Sequence, residues 1–339
     1  MATLANSDAP ARPQPLADPG AHWTANFYLD NDLFTNTDQD YTNGIKASWI
    51  SPDLQNYVDD PQLPAWVRNI NQQLTLLHGN KPREQRNLVI SLAQTMYTPG
   101  DRYATDIIAN DRPYAGWLYM GLAYQRRHDN LLDIAELNLG IVGPAALAKE
   151  SQDIVHDLRG IERFDGWHNQ LHNEPGINLH LTRKARLFRY GLGGRYSHDL
   201  IGHAGVSLGN VLTQASTGFE YRIGYRLPSD FGSSSIRPAG DNSAPGERWD
   251  SRILDKGWGW HLFVSAEGRL VARNIFLDGN TFRDSHSVDK EHIVGDISAG
   301  LALNYGSLKL TFSRVMRSRE FKTQGNAHSY GSLALSYTY

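Results

Sequence analysis

The densest group of reactive side chains is Asp30-Asn31-Asp32, followed by Asp38, Asp40 and the run Tyr41-Thr42-Asn43-Gly44. Carboxylate and amide oxygens are hard donors that suit a cation such as Ca2+. The same composition also describes an ordinary Asp/Asn-rich surface loop. The second centre is His156. On a helix it shares a face with Gln152 and Asp153, four and three residues earlier. Glu162 follows just past Gly160, a helix stop signal. A His and a carboxylate leaving one helix end, over a rim that holds another carboxylate, could form a water-activating metal site. Taken alone, His156 reads as an exposed helical histidine.

Three other patterns carry less. Gly205-Val-Ser-Leu-Gly209 fits G-x-S-x-G, but that motif needs a strand–elbow–helix setting, and here the Ser lies within a long alternating segment. His168 and His172 are spaced i, i+4 without the Glu of the zinc-protease motif. Gly191-Leu-Gly193-Gly194 misses the dinucleotide spacing.

The elements that must position these groups are strands. Apolar and polar residues alternate from residue 23 to the end, as in Trp23, Ala25, Phe27, Leu29 against Thr24, Asn26, Tyr28, Asp30, Asp32. About twelve such segments occur, near 22–32, 42–51, 86–97, 115–128, 131–142, 175–187, 190–209, 213–227, 258–272, 291–305, 306–317 and 328–339. They are longer than the ~5–6 residues common in soluble sheets. Aromatics sit near their ends, like interface girdles. The expected fold class is therefore all-β: a transmembrane antiparallel up-and-down β-barrel of about 12 strands with a polar interior. A soluble β-sandwich is the competing architecture.

Composition agrees. The formal net charge of −3 gives no reason to expect nucleic acid. A mean hydropathy of −0.48 argues against a transmembrane helix but not against strands that average lipid-facing with lumen-facing residues. The chain has no cysteine, so disulfides and Cys–metal sites are excluded. Residues 1–21 are Ala/Pro/Asp-rich and read as a disordered N-terminal segment, leaving 22–339 as the barrel.

Hairpin turns are expected at Asp129–Asn130, near Phe188 and near Gly306, on the same side as both termini, which in such barrels is periplasmic. Segments 52–85 and 228–257 then become unusually long periplasmic connections, the first with a short helix from Pro64. The opposite rim takes the loops 33–41, 98–114, 143–174, 273–290 and 318–327. Loop 143–174 predicts an extracellular helix that starts at Pro144, carries His156 and stops at Gly160.

The ordered set Asp30-Asn31-Asp32-Leu33-Phe34, Asp40-Tyr41-Thr42-Asn43-Gly44, Gln94-Thr-Met-Tyr97-Thr-Pro99, Asp111-Arg112-Pro113-Tyr114-Ala-Gly116, Gly140-Ile-Val-Gly143-Pro144 and His156-Asp-Leu-Arg-Gly160-Ile-Glu162 closely resembles the outer-membrane lipid A 3′-O-deacylase family. The resemblance spans essentially 22–339. It implies a bacterial outer-membrane enzyme, a carboxylic ester hydrolase, that removes the ester-linked 3′-acyloxyacyl group of lipid A with Ca2+. Its site would face the extracellular side. By the same resemblance the catalytic residues fall on His156, Asn31 and Thr42, and the metal ligands on Asp32 and Glu162. Where one member of that family has Tyr two residues after the Glu, this chain has Phe164. Arg102 stands in for a Lys-Arg pair of the second outer loop, and Asp111 and Arg112 complete the candidate substrate and oxyanion contacts. Arg112, Arg159 and Arg163 are candidates for lipid A phosphates. The implied partners are lipid A and outer-membrane lipids, with the chain acting as a monomer. The alternative is a porin-like channel without chemistry, whose lumen Glu220, Arg222, Arg226, Glu267 and Arg269 could plug with ion pairs.

Overall fold

The computed structural model describes residues 22–32, 40–74, 84–232, 236, 240 and 257–339. The expectation for residues 1–21 lies outside these. The strands are β1 (Thr24–Asn31), β2 (Asp40–Ile50), β3 (Gln85–Thr98), β4 (Ala115–His128), β5 (Leu131–Val142), β6 (Glu174–Gly193), β7 (Tyr196–Gly209), β8 (Leu212–Tyr225), β9 (Trp258–Asn274), β10 (Ile293–Tyr305), β11 (Leu308–Arg317) and β12 (His328–Thr338). Each pairs antiparallel with its sequence neighbours, and β1 pairs with β12, so the sheet closes into a barrel. Closure leaves no open strand edge.

The burial pattern is inverted relative to a soluble sheet. In β11, Lys309, Thr311 and Ser313 are buried, while Leu308, Leu310 and Phe312 are 43%, 41% and 47% exposed. The polar face thus lines the interior and the apolar face looks outward, as a lipid-facing wall requires. No helix among the described residues is long and apolar enough to cross a membrane.

The turns at Asp129–Asn130 and Gly306–Ser307 fall as expected. The third does not lie near Phe188. A register irregularity between Arg186 and Phe188 lets β6 and β7 stay paired to Gly193, and the chain reverses at Gly194–Arg195. Alternation is lost at the irregularity, which made the pattern look like a strand break.

Segment 52–74 packs on the outer wall at this turn end. Helix α1 (Ala65–Gln73) follows Pro64, and Leu54, Tyr57, Leu63 and Val67 cluster with Leu88 against Ile90, Leu122 and Tyr124.

The described part of 228–257 is not a periplasmic connection, because it enters the lumen. Asp230 is fully buried and accepts hydrogen bonds from Arg222 and from Lys309 Nζ (2.6 Å). Arg222 also forms a two-point pair with Asp199, at 2.8 and 2.6 Å. Phe231 lies under the guanidinium groups of Arg127 and Arg186. Further along, the Ile236 amide donates to Asp30. Lumen cations of several strands therefore find their counter-charge on an inserted segment. Unpaired, they would carry a large burial penalty. Of the ion pairs expected to plug the lumen, Arg222 and Arg269 behave as anticipated. Arg226 instead sits in the turn after β8 with φ 53°.

Candidate active site

The loop after β5 begins with a 3-10 turn, Pro144–Ala146, which ends at Leu147 in a left-handed conformation (φ 57°). Helix α2 (Ala148–Arg159) follows. The expected single helix from Pro144 is thus two pieces. The stop is as read: Gly160 adopts φ 65°, a value that costs least for glycine, and the Ile161 amide closes back on the His156 carbonyl at 2.9 Å.

α2 lies on the outer face of the wall, above β3 and β4. Gln94 Nε2 donates to the Ala146 carbonyl at 2.7 Å. A Cβ on Gly116 would stand 2.4 Å from Ala148 Cβ, so only glycine permits this seat. The buried face of the helix is Ala148, Gln152 and His156, one residue per turn. Gln152 accepts from Trp167 Nε1 at 2.7 Å. Trp167, Tyr114, Phe164, Met96 and Ala148 form the cluster between helix and wall. Each fully buried large side chain there contributes about 2 kcal/mol.

His156 is 2% exposed. Its Nδ1 lies 2.7 Å from the Glu162 carbonyl oxygen. A carbonyl only accepts, so Nδ1 carries the proton; in the neutral ring Nε2 then bears the lone pair, the tautomer of a general base. Asp153, which shares the helix with His156, does not orient it: Lys149 and Arg163 engage its carboxylate. The ring of Phe164 lies 5.8 Å from that of His156, and Arg102 stacks over Phe164 at 5.6 Å. Arg102 is therefore brought to the same neighbourhood. Phe164 thus sets an apolar ring beside both base and cation.

β1 ends at Asn31, one residue earlier than the alternation suggested, and Asp32 follows it fully buried. Asn31 pairs across β1–β2 with Asn43, and Asn43 pairs across β2–β3 with Met96. By alternation with Phe27 and Leu29, Asn31 faces outward, not into the lumen. Asn31, Asn43 and Met96 thus form one outward row, and Met96 touches the cluster under His156. At ~4.8 Å per strand, Asn31 and Met96 are about 10 Å apart. The register skips Thr42, whose side chain is outside the described part. This irregularity turns Tyr41 into the lumen, where its hydroxyl donates to Asp30.

Two candidates are not brought to this group. Arg112 is 1% exposed and points into the lumen, stacked over Tyr97 at 4.9 Å and paired with Glu320 at 3.4 Å, so it is closed to a lipid phosphate. Asp111 clamps its own loop, accepting from the Gly100 and Arg112 amides. Arg159 and Arg163 remain at the rim, Arg163 in a two-point pair with Asp157. Sequence reading missed Tyr103, whose hydroxyl donates to the Glu162 carboxylate. That carboxylate, accepting its proton, pushes the Tyr103 phenol above its ordinary value. Nothing in the local pattern pairs residues 59 positions apart. The Ser207 of the G-x-S-x-G pattern faces the lumen within β7, hydrogen-bonded to His180 at 2.7 Å, with no elbow.

Calcium takes about six to eight oxygen ligands. Asp32, a buried carboxylate beside an amide residue, fits such an ion in chemistry. Glu162 as placed does not, because its carboxylate is exposed and held by Tyr103. Among the described residues, no three His, Asp or Glu side chains group closely enough to hold a metal.

The chain that closes into this barrel, with its polar interior and a helix seated on its outer rim, matches over residues 1–339 the family model described as outer membrane protein LpxR. The chain belongs to the LpxR family. LpxR from Salmonella typhimurium superposes with a TM-score of 0.71 at 17% identity, covering 93% of this chain and 99% of that one. Two other outer-membrane barrels align more loosely. The β domain of the Bordetella autotransporter BrkA gives a TM-score of 0.43 at 9% identity, covering 95% and 99% of the two chains. A channel from Pseudomonas putida F1 gives 0.40 at 10% identity, covering 97% and 100%. No curated protein matches. Membership of the LpxR family makes this an outer-membrane barrel with a role in lipid A deacylation.

Proposed function

We propose that this LpxR-family barrel hydrolyses the ester that links the 3′-acyloxyacyl group to lipid A, acting as a monomer with its site toward the cell exterior. The observation that carries the reading is the 2.7 Å contact between His156 Nδ1 and the Glu162 carbonyl, made on a helix held against the outer wall. That contact leaves Nε2 as the proton acceptor. Water adds to the ester carbonyl as its proton passes to His156 Nε2. The oxyanion so formed is stabilised by nearby positive charge, for which Arg102 is the protein's own candidate. Collapse expels the sugar 3′-oxygen, which takes the proton back from His156, giving a carboxylic acid and a free hydroxyl. No Ser nucleophile is needed. Calcium, when bound at Asp32, would add positive charge at the carbonyl oxygen. A site on the outward face suits a lipid whose acyl chains stay in the membrane while its ester meets the rim.

The test is mass spectrometry of lipid A from cells that express the wild-type chain or His156→Ala, with heat-modifiable mobility as the folding control. A folded variant without acyl release is expected. Normal release by that variant would remove His156 from the mechanism.

A further inference from the structure

We propose that the outer wall at the turn end carries a binding site for one glycerophospholipid, formed between α1 and strands β4 to β8. The choice of leaflet rests on the orientation proposed above, which puts this end on the periplasmic side; the site itself does not depend on the hydrolysis.

α1 has two faces. Val67 and Asn71 are buried toward the wall, and Asn71 bonds both Tyr57 and Tyr124. Along the adjacent flank Trp66, Ile70 and the C-cap residue Leu74 are 48%, 45% and 37% exposed. A helix fixed against a membrane-facing wall, with a Trp and two aliphatic residues exposed along one flank, has the character of an interfacial helix at headgroup level.

Beside it the wall is concave. A groove of about 850 Å³ runs outside β4 to β8, with Tyr57 and Leu74 on one bank. Its floor is low because outward positions carry Ala135, Ala204 and Ala215, while Leu137, Leu181 and Val206 form ridges. The register places a charged row at the turn-end margin: Arg126 opposite Asp133, and Asp133 opposite Arg183. Arg183 holds Asp133 through two bonds, 2.6 and 2.8 Å. Arg126, opposite Arg86 on the neighbouring strand, stands at the mouth of an apolar trough, with Arg86 engaged by Glu84 and Arg183 by Asp133. The next row inward is Tyr124, Ala135, Leu181, Val206 and Ala215. Charge and shape together fit a single phosphodiester at the Arg row with an acyl chain along the alanines.

The experiment is native mass spectrometry of the full barrel released from its detergent micelle after extraction from membranes. The wild-type chain is expected to retain one glycerophospholipid. Ala204→Trp, whose indole fills the trough, and Arg126→Ala should each retain at least tenfold less. Leu303→Trp, on the outward face of β10, should retain it as the wild type does. Heat-modifiable mobility reports folding, and lipid A deacylation should be unchanged in all three variants, so the two proposals can fail separately. Equal retention by wild type, Ala204→Trp and Arg126→Ala would overturn the site. So would an empty wild-type barrel, or retention of lipid A in place of a glycerophospholipid.

Discussion

Replacing Gly116 by alanine tests whether the seat of α2 on the wall sets the position of His156. The new Cβ would stand 2.4 Å from Ala148 Cβ and 3.2 Å from Ala146 Cβ. Carbon atoms rest at about 3.5–4.0 Å, so something must retreat by roughly 1.1–1.6 Å. The wall is the less yielding partner, since β4 is hydrogen-bonded into the closed sheet and the Gly143 amide is tied to the Gly116 carbonyl at 3.0 Å. α2 therefore moves, at a local cost of about 1–3 kcal/mol. A reacting group displaced by ~1 Å loses about 100-fold in rate. Acyl release per barrel, measured on lipid A in mixed micelles, should fall by about 10- to 100-fold with heat-modifiable mobility intact. The pair Gly116→Ala with Ala148→Gly removes the clashing methyl and should recover most of the rate. Full activity in the single variant, or no recovery in the pair, would refute the idea that this contact positions the base.

Asp230→Ala leaves Arg222 and Lys309 facing each other in the lumen without that carboxylate, which should cost about 3–5 kcal/mol and lower the temperature at which heat-modifiable mobility is lost. Planar-bilayer recordings should then show conductance that the wild type lacks. Burial raises the Glu320 carboxyl, but Arg317 and Arg112 outweigh it and hold its pKa at about 2. Because the folded value lies below the ordinary one, its stabilisation, on the order of 3 kcal/mol, is complete above about pH 4.5 and is lost as pH falls toward 2. Acid unfolding of wild type and Glu320→Gln should converge over that window. Under the proposed mechanism, a calcium chelator should suppress acyl release and added Ca2+ should restore it; release that survives chelation would remove Asp32 as a cation ligand.

The sequence alone determined the architecture, because a closed wall repeats one rule at every second residue. Lys309 inside and Leu310 outside are legible without coordinates. So were the helix stop at Gly160, where only backbone chemistry decides, and the pairing of the Asp30 and Thr42 segments, which share one hairpin. Tertiary structure decided what depends on distant partners or on a broken period. The irregularity at Thr42 turned Tyr41 inward, and the one at Arg186 lengthened β6. Arg112 read as a rim cation until Tyr97 and Glu320 closed around it. Segment 228–257 read as a periplasmic connection until lumen cations were found around its residues Asp230 and Phe231. The tautomer of His156 was set by a carbonyl that is itself positioned by packing between helix and wall. Alternation encodes which face a residue takes, but not which remote group will be there to meet it.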